Sequence, residues 1–231
     1  MKKNEKSALN RRLMVIYVGY FLLLAVSFVS STMPLMSVGY KSGAALAHLE
    51  EQDKKCYMVA VRPIPMANPD LSALKEVEHG YLSMNPYEGF VAVALDPNSA
   101  PESLIEKMDR NAMTIFAVNL VILLCWVVIY VLIALIINSM RCSIRDQHPL
   151  PQRNILYMRL IGGFILLNVF CEWLTLHLGH QMVALSYGSM PEGFEQVIPS
   201  YIIAILALLV IFSAEIFSVG SKLSEEQKLT I

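Results

Sequence analysis

The chain has 231 residues, of which 55% are hydrophobic and only 16% are charged. Soluble globular domains carry about 25% charged residues, so this composition indicates a protein that lies in a bilayer. The net charge of -1 gives no overall basic character and argues against direct binding of nucleic acid. The nucleotide-binding, metalloprotease and nucleophile-elbow motifs of common enzymes are missing from the sequence. We therefore predict a non-enzymatic protein without a cofactor.

Four apolar segments are each long enough to supply the roughly 20 residues that a membrane-spanning helix needs. They predict transmembrane helices over residues 13–36, 112–139, 155–178 and 198–219. The basic start of the first segment leaves a cleaved signal peptide open as an alternative, although its apolar stretch exceeds the roughly 7–15 residues of a signal peptide.

The distribution of Lys and Arg predicts the orientation of these helices, because cytoplasmic loops carry an excess of both. Basic residues occur in the N-terminus 1–12, in the connection 140–154 and in the tail 220–231, whereas the connection 179–197 contains none. The sequence therefore predicts that both termini are cytoplasmic.

The segment 37–111 is then extracytoplasmic, and it is too long for a passive loop, because structureless loops beyond about 12–15 residues are uncommon. Two short apolar runs, one ended by prolines and the other followed by the turn residues DPN, predict strands over 56–64 and 89–95. Asp70 is suited to cap a helix over 71–80. The predicted fold class is an all-α membrane protein with four transmembrane helices and a small extracytoplasmic α+β segment between helices 1 and 2.

A second helix is predicted at the end of this segment. Ser99 is suited to cap it, and Glu102 would lie in its first turn, where a negative charge is favourable. We expect this helix to continue into the second transmembrane helix.

Arg159 and Glu215 are the first pair of unusual residues, because ionisable groups in membrane segments are costly. Arg159 lies about one turn inside the third predicted helix, and Glu215 lies about 25 Å along the fourth, at a 1.5 Å rise per residue. The two residues therefore share the inner boundary of the membrane. We predict that they form a pair. The alternative is that each extends separately to the cytoplasmic interface.

A second group of polar residues shares the outer boundary. Asn168 and Glu172 are four positions apart on the third helix and so lie on one face, while Asn119 and His177 have a similar depth. These four residues predict an outer polar cluster that could line a pocket. The alternative is ordinary hydrogen bonding between helices. The spacing of Glu172, His177 and His180 matches no common metal-ligand set, and we predict no metal site.

The C-terminal half has a recognisable set of residues where the chain enters the third helix and where it leaves the fourth: Asn154, Arg159, Leu160, Ile161, Gly162, Gly220, Glu225, Glu226, Leu229 and Thr230. In these residues it resembles a bacterial four-helix membrane family, the domain of unknown function 2975. Lys228 departs from the pattern, because the family usually has an acidic residue there. The resemblance implies four helices with an external segment after the first, a bacterial inner-membrane location and no known catalytic activity. It also implies a helix-turn-helix transcription regulator as a partner, since such regulators are often encoded beside the family.

We therefore predict a membrane sensor or regulatory protein that acts with a cytoplasmic partner. Its tail would dock that partner through Glu225, Glu226, Leu229 and Thr230. Two alternatives stay open: a small transporter or export accessory protein, and a homodimeric membrane scaffold. In every case the lipid bilayer is a partner.

Overall fold

The structure is a computed structural model that describes residues 11–12, 14–23, 25–26, 55–60, 75–77, 80–85, 90–146, 152–187 and 200–229. The chain divides into two compact units. The first unit, called the helical unit below, comprises Met1–Ser30, Ile122–Phe170 and Ser200–Ile231. The second, called the sheet unit, comprises Ser31–Val121 and Cys171–Pro199.

Three long helices dominate the described chain: α2 over Glu102–Asp146, α3 over Gln152–Tyr187 and α4 over Tyr201–Leu229. Each is long and apolar enough to cross a membrane, which indicates a membrane protein. A shorter apolar helix, α1, covers Met14–Leu23. Residues 27–36, which complete the first predicted transmembrane helix, lie outside the described residues.

Four short strands form one antiparallel sheet: β1 over Lys55–Ala60, β2 over Lys75–Val77, β3 over Gly80–Asn85 and β4 over Phe90–Leu95. Their order in the sheet is β1-β4-β3-β2. Two of them, β1 and β4, lie where the short apolar runs predict strands. They pair directly, and Tyr57 is opposite Val93 in this pairing.

The predicted helix over 71–80 is wrong, because Lys75–Val77 is strand β2 and Gly80 begins strand β3. Val77 is paired with Gly80 in an antiparallel arrangement. A helix of about ten residues gains little stability by itself in water. Pairing of β3 with β4 along its whole length offers the backbone a full set of hydrogen bonds instead.

The start of α2 also differs in detail from the prediction. The hydroxyl of Ser99 donates to the carbonyl of Asp96 at 3.3 Å and does not cap the helix. The carboxylate of Asp96 accepts from the backbone N–H of Asn98 at 3.0 Å, which closes the tight turn after β4. The expected continuation is confirmed, since α2 is one helix of 45 residues.

The sheet unit has one hydrophobic core. One face of β1 and β4 contributes Tyr57, Val59, Val93 and Leu95, and α3 contributes Met182 and Val183 to the same core. From α2 come four side chains at helical spacing: Leu104, Met108, Ala112 and Ile115. This spacing places them on one stripe of the helix, so the first turns of α2 cover the sheet.

The helical unit has a separate core built from α2, α3 and α4. Ile129, Leu132 and Ile161 are buried, and Phe164 and Val210 pack against them. Helix α1 joins this unit through Tyr20, whose hydroxyl donates to the backbone carbonyl of Tyr130 at 3.1 Å. Most other large apolar side chains of these helices are exposed, as expected where lipid is the solvent.

Candidate functional site

An ion pair joins α3 and α4 at the end of the helical unit where α3 begins. The Nε of Arg159 lies 2.8 Å from Oε1 of Glu215, and its Nη2 lies 2.9 Å from Oε2. The contact is bidentate, which is the strongest geometry for a guanidinium and a carboxylate. The side chains are 43% and 52% exposed, so both heads also reach the surface of the helix pair.

The close approach of α3 and α4 at Gly162 positions this ion pair. A Cβ atom on Gly162 would collide with the side chain of Ile211 and lie 2.9 Å from the carbonyl oxygen of Ala207. Gly162 lies about one turn beyond Arg159, and Ile211 lies one turn before Glu215. The helices run antiparallel, so the glycine contact and the ion pair are neighbouring steps of one interface. Gly163 has no neighbouring atom within 4 Å, and only one of the two glycines serves helix packing.

A second polar cluster fixes β1 to α2 in the sheet unit. The carboxylate of Asp109 accepts a hydrogen bond from the hydroxyl of Tyr57 at 2.6 Å and from Nζ of Lys55 at 2.8 Å. Lys55 and Tyr57 are two positions apart and so project from the same face of the strand. Burial, reinforced by the bond to Asp109, raises the pKa of the Tyr57 hydroxyl above its ordinary value. The hydroxyl therefore stays protonated as a donor.

The four residues of the predicted outer polar cluster have different environments. Asn168 is buried at 7% exposure, whereas Asn119, Glu172 and His177 are exposed. The Nε2 atom of His177 lies 3.1 Å from the amide nitrogen of Gln181. Its ring stacks on Trp173 with centroids 5.5 Å apart. In the sheet unit, no hydrogen bond between described residues joins Asn119, Glu172 and His177 to one another.

Two buried amide side chains on α3 belong to the helical unit. Asn154 and Asn168 are 3% and 7% exposed, and neither amide group has a hydrogen-bond partner among the described residues. A buried amide without a partner loses its hydration without compensation. These side chains are therefore the least satisfied polar groups of the described helical unit.

The predicted tail-docking residues lie at the C-terminal end of α4 and just beyond it. Glu225, Glu226 and Leu229 lie within the helix, which ends at Leu229. Thr230 lies outside the described residues. Among the residues that the structure describes, no group of three His, Cys, Asp or Glu side chains is placed to hold a metal ion.

Sequence reasoning missed the cluster of Lys55, Tyr57 and Asp109. The period-2 spacing of Lys55 and Tyr57 was available as a signal that both lie on one face of a strand. Their common acceptor is 52 and 54 positions away in the chain, and no local pattern links it to them.

Comparison with known proteins gives one family. No curated protein sequence matches the chain, and no solved structure matches it. One family model matches residues 68–231, which include β2 to β4 and the three long helices. The chain therefore belongs to the family described as Protein of unknown function (DUF2975).

Proposed function

We propose that this chain is a four-span inner-membrane protein that works without catalysis, as a sensor whose cytoplasmic tail contacts a regulatory partner. The observation that carries the proposal is the continuity of α2. This helix begins where Leu104 and Met108 pack on the sheet, and it continues without a break to Asp146. At 1.5 Å per residue it is about 68 Å long, roughly twice the thickness of the hydrocarbon core.

The sheet unit is the external end of the proposed sensor. Asp109 holds Lys55 and Tyr57 of β1 at the start of α2. A change in the sheet, such as binding of an envelope ligand, would alter these contacts directly. Because the residues that receive the change belong to a membrane-crossing helix, the same helix can carry it inward.

The cytoplasmic end is the extension of α4. Its membrane-spanning part covers Tyr201–Ser221, and the helix continues to Leu229. The extension has the sequence KLSEEQKL, with charged residues at four of eight positions. A helix of this composition does not depend on contact with lipid, and it presents a polar, partly charged surface to a partner. A helix-turn-helix regulator is the partner that the family resemblance suggests, and this suggestion is an analogy.

The test is photo-cross-linking in native membranes with a photoreactive residue at Glu226, followed by mass spectrometry. We expect a DNA-binding protein whose capture is lost in Leu229→Asp, a change within the extension of α4 that keeps the photoreactive position in the chain. A photoreactive residue at Asn98, in the turn after β4, is the matched control and should not capture that protein. Recovery of only lipid or of the chain itself at Glu226 would contradict the docking proposal.

Transport is a second candidate, and the buried amide of Asn168 favours it. An amide without a partner in the helical unit would be satisfied by water or by a polar substrate inside a path through the membrane. The test replaces Asn168 with cysteine in a chain without its native cysteines. Reaction with a water-soluble thiol reagent, at a rate well above that of Leu167→Cys on the exposed side of α3, supports transport. An unreactive thiol supports the sensor.

A further inference from the structure

A cleft lies beside the ion pair of Arg159 and Glu215, in the interface of α3 and α4. It has a volume of about 140 Å³ and is lined by four polar and two apolar side chains: Gln152, Arg159, Ser218, Ser221, Ile155 and Leu156. This volume corresponds to several water molecules at about 30 Å³ each. We propose that the cleft binds the headgroup of a phospholipid of the ethanolamine class.

The position of the cleft in the interface favours a lipid as occupant. Gly162 brings α3 and α4 into contact, Arg159 pairs with Glu215 one turn away, and the cleft occupies the next two turns toward the start of α3. Ser218 and Ser221 are the last residues of the apolar part of α4. The cleft therefore opens at the depth of the headgroups, where phospholipid is the most concentrated solute.

The donors that line the cleft suit a phosphate. The bidentate contact with Glu215 uses Nε and Nη2 of Arg159, so Nη1 lies on the other edge of the same planar group. The amide of Gln152 and the hydroxyl of Ser218 supply further donors. Guanidinium, amide and hydroxyl groups are the usual partners of phosphate oxygens.

The acceptors around the cleft suit an ammonium group. The hydroxyl proton of Ser221 is donated to the carbonyl of Ser218 at 2.9 Å, which leaves the Ser221 oxygen with lone pairs to accept a bond. The carboxylate of Glu215, which pairs with Arg159 and does not itself line the cleft, is half exposed. A headgroup with a positive N–H donor and a negative phosphate matches this arrangement. A choline headgroup has the phosphate but no N–H donor.

An apolar wall continues the site toward the acyl chains. Leu156 and Leu160 are 52% and 40% exposed on α3. Leu156 also lines the cleft, so a lipid whose headgroup occupied the cleft would lay its acyl chains along these side chains. The site then combines polar recognition with apolar contact, as a built lipid site requires. The proposal stands apart from the sensor function, because it needs neither a cytoplasmic partner nor a signal.

Native mass spectrometry tests the proposal. The full chain is reconstituted with phosphatidylethanolamine or with phosphatidylcholine of the same acyl chains, and retained lipid is counted after transfer to detergent. We expect one retained phosphatidylethanolamine and about fivefold less phosphatidylcholine, the ratio for one hydrogen bond of ordinary net strength. Equal retention of the two lipids would overturn the proposal. Displacement by millimolar inorganic phosphate alone would overturn it too, since the site would then belong to free phosphate.

Two substitutions locate the lipid. Ser218→Leu fills the cleft and should lower the retained phosphatidylethanolamine about fivefold. Ser213→Leu is the matched control, because the Ser213 hydroxyl bonds to Leu209 of its own helix and does not line the cleft. Gln152→Leu, at the exposed first position of α3, repeats the test without altering the helix interface. Retention by both cleft variants at the level of the Ser213→Leu control would contradict the assignment.

Discussion

Arg159 and Glu215 form a bidentate ion pair, with nitrogen-to-oxygen distances of 2.8 and 2.9 Å, between α3 and α4. Neither residue is deeply buried. The pair therefore avoids the large desolvation cost of a fully buried ion pair and still fixes the register of two apolar helices. Register is otherwise weakly determined in a membrane, because lipid is as apolar as the helix surfaces.

The ion pair predicts a charge-reversal rescue. Arg159→Glu and Glu215→Arg should each destabilise the chain in detergent, because like charges would then face each other. The double variant should recover most of the loss, which we expect to be on the order of 1 kcal/mol for a half-exposed pair. Thermal unfolding of the four proteins measures the coupling. A double variant no more stable than the worse single variant would show that the two charges act independently.

The two adjacent glycines predict opposite responses to the same substitution. Gly162→Ala should destabilise the helical unit by about 1–3 kcal/mol, the usual cost of overpacking, because the backbone of Ala207 has to move. Gly163→Ala is the matched control and should be neutral or slightly stabilising, because a Cβ there meets no atom and alanine is the better helix former. Unfolding in detergent compares the two variants. Similar losses at both positions would contradict the α3–α4 packing.

The hydrogen bonds of Asp109 predict that this residue holds strand β1 against helix α2. Asp109→Asn removes the charge that binds Lys55 and weakens the bond from Tyr57, so amide hydrogens of β1 should exchange faster. Glu106→Gln is the matched control, since Glu106 is exposed on the same helix and loses the same charge. The exchange rate of the amide hydrogens of residues 55–60, measured by mass spectrometry, tests this prediction. Equal exchange in the two variants would mean that Asp109 does not anchor the sheet.

The predicted topology can be checked with cysteine labelling in intact cells. In a Cys56→Ser background, a membrane-impermeant thiol reagent should label Asn98→Cys, in the turn between β4 and α2. Native Cys142, exposed near the end of α2, should be labelled only after permeabilisation. The reverse pattern would invert the orientation of the protein.

The helices were predictable from the sequence because a membrane span needs a long apolar segment, and α2, α3 and α4 each contain one. The strands β1 and β4 were predictable because each contains a short apolar run bounded by turn residues or prolines. Lys75–Val77 and Gly80–Asn85 were not, since β2 depends on pairing with β3, and β3 depends on pairing with β4, which lies later in the chain. Local propensity is a weak guide where tertiary pairing decides.

For the candidate site, the depth of a residue along its helix was predictable from the sequence, whereas the direction in which its side chain faces was not. The shared depth of Arg159 and Glu215 follows from counting residues along two helices, and the structure pairs them. The grouping of Asn119, Asn168, Glu172 and His177 also used depth, together with the four-residue spacing of Asn168 and Glu172, yet one side chain is buried and three are exposed. Depth does not determine which way a side chain faces on a helix, and the apolar neighbours give few clues when most faces meet lipid.

The proposed sensor requires the sheet unit to act on the C-terminal extension of α4, so a weaker contact between β1 and α2 should change what that extension contacts. The yield of cross-linking from a photoreactive residue at Glu226 to its protein partner is compared in Asp109→Asn and in Glu106→Gln. We predict a changed cross-linking yield in Asp109→Asn and an unchanged yield in Glu106→Gln, with both proteins at equal levels in the membrane. The same yield in both variants, or the absence of any protein partner, would contradict it.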